Sequence, residues 1–287
     1  MWSKVWEGFR GAALAVLVTV QILLFPACYV ACFVAAQPLR LLIPERLFWR
    51  IEGLLYEHTI MIASAWTDLA GHELRTAGDD ASVSGRGRTV VMVNHQRPSD
   101  IGVLMRALQR PAGFFRRNVW VMDWALQLAF FGWVSKCHGD HFLLQPVDGR
   151  KAARWLGARW NVDAGEQCAL LRRRVAKHVR ERGYRSVVLF PEGGFLAKRR
   201  AGSERYARRI GNPVPRHVAM PRSGAFEAAV RALGDDGADH VTVLDVTIGY
   251  RRPVTPLEHV FPLWRPRHRF AVHCERIEGF AAAQSSE

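Results

Sequence analysis

Residues 11–37 contain no charged side chain. The run GAALAVLVTVQILLFPACYVACFVAAQ exceeds the roughly 20 apolar residues a helix needs to cross a bilayer core. It is apolar all round, which predicts a lipid-facing or buried helix rather than a surface one. A secretory signal peptide carries an apolar stretch of only about 7–15 residues, so an uncleaved anchor is expected. Pro26 lies in the middle of the run. It predicts a kink, or a split into a shallow hairpin within one leaflet. Lys4 and Arg10 flank one side, and Arg40, Arg46 and Arg50 the other, which slightly favours a cytosolic C-terminal side. Residues 47–66 mix aromatic and aliphatic side chains with sparse charge. They fit a helix lying along the membrane interface or one packed into a core, and both readings stay open. The expected organisation is an anchor over residues 1–45, an interfacial helix and linker over 46–88, and a main domain over 89–287.

The charge narrows the partners. The chain has 287 residues, 40 Lys+Arg and 26 Asp+Glu, giving a net charge of +14. A hydrophobic content of 49% excludes a mainly disordered basic tail. Five Cys are too few for a disulfide scaffold, and no CxxC pair occurs, so free thiols are expected. Nucleic acid, or anionic lipid and phosphorylated metabolites, remain as partners. Trp155 and Trp160 among basic residues suit a single strand, but the apolar run stands against nucleic acid, which is not expected as a partner. The charge is also uneven. Residues 172–222 hold 15 Lys and Arg against three acidic residues, centred on the segment FPEGG.

Beyond a Gly-, Ser- and Asp-rich stretch at 76–88, read as a loop, four strands are expected. They are TVVMV (89–93), VVLF (187–190), VTVLDVTIGY (241–250) and RFAVHCERI (269–277). Helical patterns lie between them, including 99–108 and 170–182. Strands alternating with helices predict an α/β domain.

Two segments carry chemistry. The first strand runs into Asn94-His95-Gln96-Arg97-Pro98-Ser99-Asp100. A strand end followed by a helix start is where α/β folds place reactive groups. His95 suits a general base because its unperturbed pKa lies near neutrality. From the first turn of the next helix, Asp100 could hold one ring nitrogen of His95 and stabilise the imidazolium. No protein nucleophile is needed if the substrate brings its own hydroxyl. A helix-capping Asp beside a loop His would leave the same trace, and taken alone that plainer reading is favoured. The second segment, Phe190-Pro191-Glu192-Gly193-Gly194, follows VVLF. Its glycines permit close backbone approach to a ligand, and Lys198, Arg199 and Arg200 follow. His138 and His141 have a metal-ligand spacing, but no third ligand set accompanies them, so no metal is expected.

In this order, Asn-His with Asp five residues after His, then Phe-Pro-Glu-Gly about a hundred residues later, resembles the glycerolipid acyltransferase family of the lysophosphatidic-acid acyltransferase type. Val218-Ala219-Met220-Pro221-Arg222-Ser223-Gly224-Ala225 matches the family's last, proline-bearing block. The wording NHQ, HGD, VLFPEGGFL and PRSGA resembles its lysophosphatidylglycerol-acylating branch. The resemblance implies a mixed α/β sheet flanked by helices behind an N-terminal membrane-anchoring helix. It implies acyl transfer from acyl-CoA to a lysophospholipid hydroxyl, with His95 as base and Asp100 as its holder. Asn94, Phe142, Glu192, Gly193, Gly194, Lys198, Arg199, Arg200, Pro221 and Arg222 would bind substrate. It implies no metal and no cofactor beyond the acyl-CoA co-substrate. The partners would be acyl-CoA, the lysophospholipid and the bilayer, on the endoplasmic reticulum in a eukaryote. A thioesterase-type hydrolase and an inactive membrane scaffold of the same fold are the alternatives.

The sequence departs from the family at the second block. Gly139-Asp140-His141-Phe142 is followed by Leu143-Leu144-Gln145, without the Arg that binds acceptor phosphate in the family. Arg150 or Arg154 would have to substitute, or Lys198, Arg199 and Arg200 supply the charge. The sequence ends at Glu287, soon after its last predicted strand, as a short form or a partial chain would.

Overall fold

A computed structural model describes residues 2–79, 87–109, 113–143, 163–235, 240–252, 254–255 and 267–281. Among these residues the strands are β1 (Glu73–Gly78), β2 (Thr89–Val93), β3 (Asn118–Asp123), β4 (His141–Leu143), β5 (Ser186–Leu189), β6 (His240–Tyr250) and β7 (Arg269–Ala281). They form one sheet in the order β1-β7-β6-β2-β5-β3-β4. Only β6 and β7 pair antiparallel; the other neighbours are parallel. The helices are α1 (Trp2–Ala36), α2 (Glu45–Leu69), α3 (Ser99–Ala107), α4 (Phe130–His138), α5 (Ala164–Arg182), α6 (Leu196–Arg209) and α7 (Ser223–Gly234). This is the expected mixed α/β sheet flanked by helices.

Helices cover both faces of the central sheet. Val91 and Val188 join a core with Tyr56, Ile60, Val103, Leu104 and Val134 from α2, α3 and α4. Their strand neighbours Val90, Val187 and Leu189 join a second core with α5 and α7. Successive side chains of a strand point to opposite faces. TVVMV and SVVL are therefore apolar at nearly every position because both faces are buried. Helix α5 starts on the Asp163 side chain, which accepts from the Gly165 and Glu166 amides, and ends at Gly183 with φ +69°.

Helix α1 runs unbroken through Pro26, so residues 11–37 do not fold as a hairpin. It is the one helix among the described residues long and apolar enough to cross a membrane. Val18, Pro26 and Tyr29 are its buried side chains, while Leu17, Val20, Leu23 and Leu24 stay exposed. Its seat on α2 includes two polar contacts. Trp66 Nε1 donates to Gln21 Oε1 at 2.7 Å, and the Tyr29 hydroxyl donates to Glu52.

Helix α2 is packed into the core along one face, as one of the two readings of residues 47–66 expected. One face buries Phe48, Trp49, Tyr56 and Ile60; the other exposes Leu47, Ile51, Leu54 and Met61. The HGD segment belongs to this junction. His138 Nδ1 meets Glu52 Oε1 at 2.9 Å, and its Nε2 lies 3.2 Å from the Asn118 carbonyl. The Tyr56 ring stacks on His138 with centroids 3.5 Å apart, and its hydroxyl donates to Asp140 at 3.1 Å. Asp140 also accepts from the Trp120 amide at 2.9 Å, and burial pushes its carboxyl up to about 6. Both ring nitrogens of His138 are thus engaged within the protein.

Strands β1, β3 and β4 differ from the sequence expectation. The loop expected from residue 76 begins later, because β1 extends to Gly78 and pairs with β7. Most of β1 is exposed, so it lacks the apolar alternation that marks a half-buried strand. Leu144, Gln145, Arg150, Arg154, Trp155 and Trp160 lie outside the described residues.

Candidate active site

The site forms where β2 and β5 end side by side. Met92 pairs with Leu189 in parallel register, so His95 and Glu192, each three residues further on, stand level. The His95 amide donates to Glu192 Oε1 at 2.7 Å, and the Ala219 amide donates to Glu192 Oε2 at 2.7 Å. Glu192 is 3% exposed, and its two oxygens tie the segments around residues 95, 192 and 219 together. Burial pushes its carboxyl above the ordinary range, and the two amides oppose that shift.

His95 is 7% exposed and Asp100 is fully buried. His95 Nδ1 lies 3.2 Å from Asp100 Oδ2. The same oxygen accepts from the Gln96 and Arg97 amides at 2.6 and 2.9 Å. Asp100 therefore closes the turn that precedes α3 and reaches the imidazole with the same oxygen; it does not cap α3, whose N-terminus at Pro98 has no side-chain cap bond. The His95 ring stacks on Phe190, with centroids 4.1 Å apart, and packs against Phe195 at 4.5 Å. With Nδ1 held by Asp100, Nε2 is the ring nitrogen that could exchange a proton with a bound group. The Leu196 amide, at the start of α6, donates to the His95 carbonyl at 2.9 Å.

Asn94 is spent on the scaffold. Its Nδ2 donates to the Ile248 carbonyl at 3.0 Å, and the Ile248 amide donates to its Oδ1 at 2.7 Å. This double bond fastens the end of β2 to β6.

The glycines after Glu192 have a conformational reason. Gly193 has φ +68° and Gly194 φ +144°, where L side chains are strained. The Gly193 amide donates to Phe190 and its carbonyl accepts two bonds from Arg199, at 3.0 and 2.6 Å. Arg199 thus turns inward to clasp the loop, while Lys198 and Arg200 point outward. Pro221 and Arg222 are exposed beside the loop, with the Arg222 amide donating to the Pro191 carbonyl at 2.8 Å. Phe142 stands apart. It is buried in β4, three strand spacings or about 14 Å across the sheet from β2.

The sequence reading missed the aromatic walls of His95 and a second partner of Asp100. The Tyr250 hydroxyl donates to Asp100 Oδ1 at 3.0 Å. Phe190 opens the FPEGG segment and Phe195 follows it, so their signal was available; Tyr250 lies 150 residues from Asp100.

A general family model described as Acyltransferase matches residues 73–251, which include the whole constellation from His95 to Tyr250. The chain belongs to the acyltransferase family. Acyl-CoA:lysophosphatidylglycerol acyltransferase 1 of Mus musculus and that of Homo sapiens are each 34% identical over 205 residues, or 71% of this chain. The match covers 51% of each, so the chain spans about half the length of these curated relatives. A crystal structure of the 1-acyl-sn-glycerophosphate (LPA) acyltransferase PlsC from Thermotoga maritima superposes with a TM-score of 0.52. That likeness covers 99% of this chain and 90% of PlsC at 11% identity, and it supports the acyltransferase fold.

Proposed function

We propose that this chain is a membrane-bound acyltransferase that moves an acyl group from acyl-CoA to a hydroxyl of a lysophospholipid, lysophosphatidylglycerol or a related acceptor. The observation that carries this reading is the buried Asp100 carboxylate against His95 Nδ1, with the imidazole walled by Phe190 and Phe195. His95 Nε2 takes the proton of the acceptor hydroxyl as its oxygen attacks the thioester carbonyl. Asp100 steadies the imidazolium while the tetrahedral species forms. The carbon–sulfur bond then breaks, and the imidazolium returns its proton to the departing thiolate. The products are an acylated phospholipid and free CoA, and His95 is neutral again.

Lys198, Arg200 and Arg222, exposed beside the Glu192 loop, would draw in the CoA phosphates and an anionic head group. Exposed Leu17, Val20 and Leu24 of α1 with Leu47, Ile51 and Leu54 of α2 support attachment to a bilayer. In a eukaryotic cell the same reading puts the enzyme on the endoplasmic reticulum, with its catalytic domain facing the cytosol.

The test is transfer from radiolabelled acyl-CoA to a panel of lysophospholipids and monoacylglycerol. The reading expects labelled phospholipid, strongest with lysophosphatidylglycerol or a close relative. CoA release without acylated lipid would instead show a hydrolase.

A further inference from the structure

The Asp100 carboxylate has two oxygens, and His95 uses one. Oδ2 serves the imidazole and the Gln96 and Arg97 amides, whereas Oδ1 accepts from the Tyr250 hydroxyl at 3.0 Å. Asp100 is fully buried, so its oxygens depend on protein donors. Tyr250 is the last residue of β6, half-buried, with its ring edge-on to Phe270 at 6.0 Å. Burial and the Asp100 charge push its hydroxyl well above the ordinary range, which keeps it a donor.

Asn94 sets the height of this contact. Its amide grips both backbone groups of Ile248. Ile248 and Tyr250 are two residues apart on one strand and so share a face. The end of β2 therefore fixes where β6 presents its terminal tyrosine.

We propose that Tyr250 is a positioning residue for the catalytic pair: its hydroxyl fixes the plane and charge of the Asp100 carboxylate, and Asn94 fixes the level of Tyr250. This rests on the reading of His95 as the base. Without the hydroxyl, Oδ1 loses its donor and the negative charge concentrates. The His95–Asp100 pair then takes up a proton more readily, and its apparent pKa rises. Besides that pair, the charged groups facing Tyr250 among the described residues are Arg97 and Glu192. Neither is altered by replacing the tyrosine.

The experiment compares Tyr250→Phe with the wild-type full chain in acyl transfer over a range of pH, with His95→Ala in parallel. kcat falls roughly tenfold while both KM values stay within about twofold, since Tyr250 acts on the base and not on substrate. The acid limb of the profile moves up by about half a pH unit or more. The position of that limb does not depend on the fraction of enzyme that folds, so it reads the pair even if the variant is less stable. A wild-type kcat and acid limb would overturn the proposal. So would a lowered kcat with an unmoved limb, which is what mere support of the fold produces. Wild-type turnover in His95→Ala would overturn the base reading itself, and that result is separable because the variant leaves Tyr250 intact.

Discussion

The backbone amide of His95 donates to the side chain of Glu192 at 2.7 Å, joining the ends of two neighbouring parallel strands. The second Glu192 oxygen holds the Ala219 amide. Glu192 therefore sets where His95 stands. Glu192→Ala leaves both amides without their acceptor, at about 1–3 kcal/mol for each buried group left unpaired. The expected outcome is a lowered Tm together with a fall in kcat, read by thermal unfolding and acyl transfer. Glu192→Gln keeps the shape but turns an NH2 group toward one amide, so it also loses activity. A Glu192→Ala variant with wild-type Tm and kcat contradicts this role.

Gly193 stands at φ +68° in the loop that carries Glu192. Gly193→Ala forces a Cβ into the left-handed region, at a cost of about 1–2 kcal/mol. Asn tolerates that region better, so Gly193→Asn is expected to lie between Ala and wild type in Tm. An Ala variant as stable as wild type would mean that the loop relaxes to another conformation.

The basic residues after the loop divide into two kinds. Arg199 donates two bonds to the Gly193 carbonyl, whereas Lys198 and Arg200 are exposed. Arg199→Glu is expected to lower Tm. Lys198→Glu with Arg200→Glu is expected to raise KM for acyl-CoA or to loosen retention on anionic vesicles, with Tm nearly unchanged. Unchanged KM and unchanged retention in the double variant would make the local charge a matter of composition alone.

Acid weakens the fold through two buried histidines. Burial, with Arg174 nearby, holds the His141 imidazole down at about 4. Burial, with Arg182 and His138 nearby, holds His178 at about 3. An unfolded histidine takes its proton near 6.5. Between these values the unfolded chain binds more protons, so stability present above about pH 6.5 is lost as pH falls. Asp140 opposes this in part. Its folded value of about 6 exceeds the unfolded one, so protonation below that pH favours the fold. The Glu192 and Asp245 carboxyls, also raised by burial, act in the same direction as Asp140. The two histidine displacements are the larger, and Tm is expected to fall between about pH 7 and about pH 5. Neither ring nitrogen of His141 has a hydrogen-bond partner among the described residues. His141→Leu is therefore expected to flatten that slope and to raise Tm most at the acid end. A variant with the wild-type slope would remove His141 from the explanation.

What the sequence made legible follows from sequence distance. His95 and Asp100 lie within one turn of each other, so their contact is a local matter of a strand end and a helix start. The FPEGG segment announces a strand followed by a glycine-bearing loop, and the structure has both, with Gly193 and Gly194 at positive φ. The use of Glu192 is less legible, because Ala219 and His95 reach it only through the fold. Tyr250 gave no local signal. It is the last residue of a strand, and the pairing of β2 with β6 brings it to Asp100. Among the strands, β4 is three residues long and β1 is largely exposed, so neither shows an alternating pattern. Strand β3 is buried at its first four positions, but it is short, and apolar residues resume directly after Asp123 in the 3-10 turn Trp124–Leu128, which blurs its end.

The most direct test of His95 as the base is the turnover of His95→Ala at saturating acyl-CoA and acceptor, with folding verified by an unchanged Tm. Loss of a positioned general base lowers kcat by about 10²–10⁴-fold while acyl-CoA still binds. A His95→Ala enzyme that forms acylated lipid at the wild-type rate would contradict the mechanism outright.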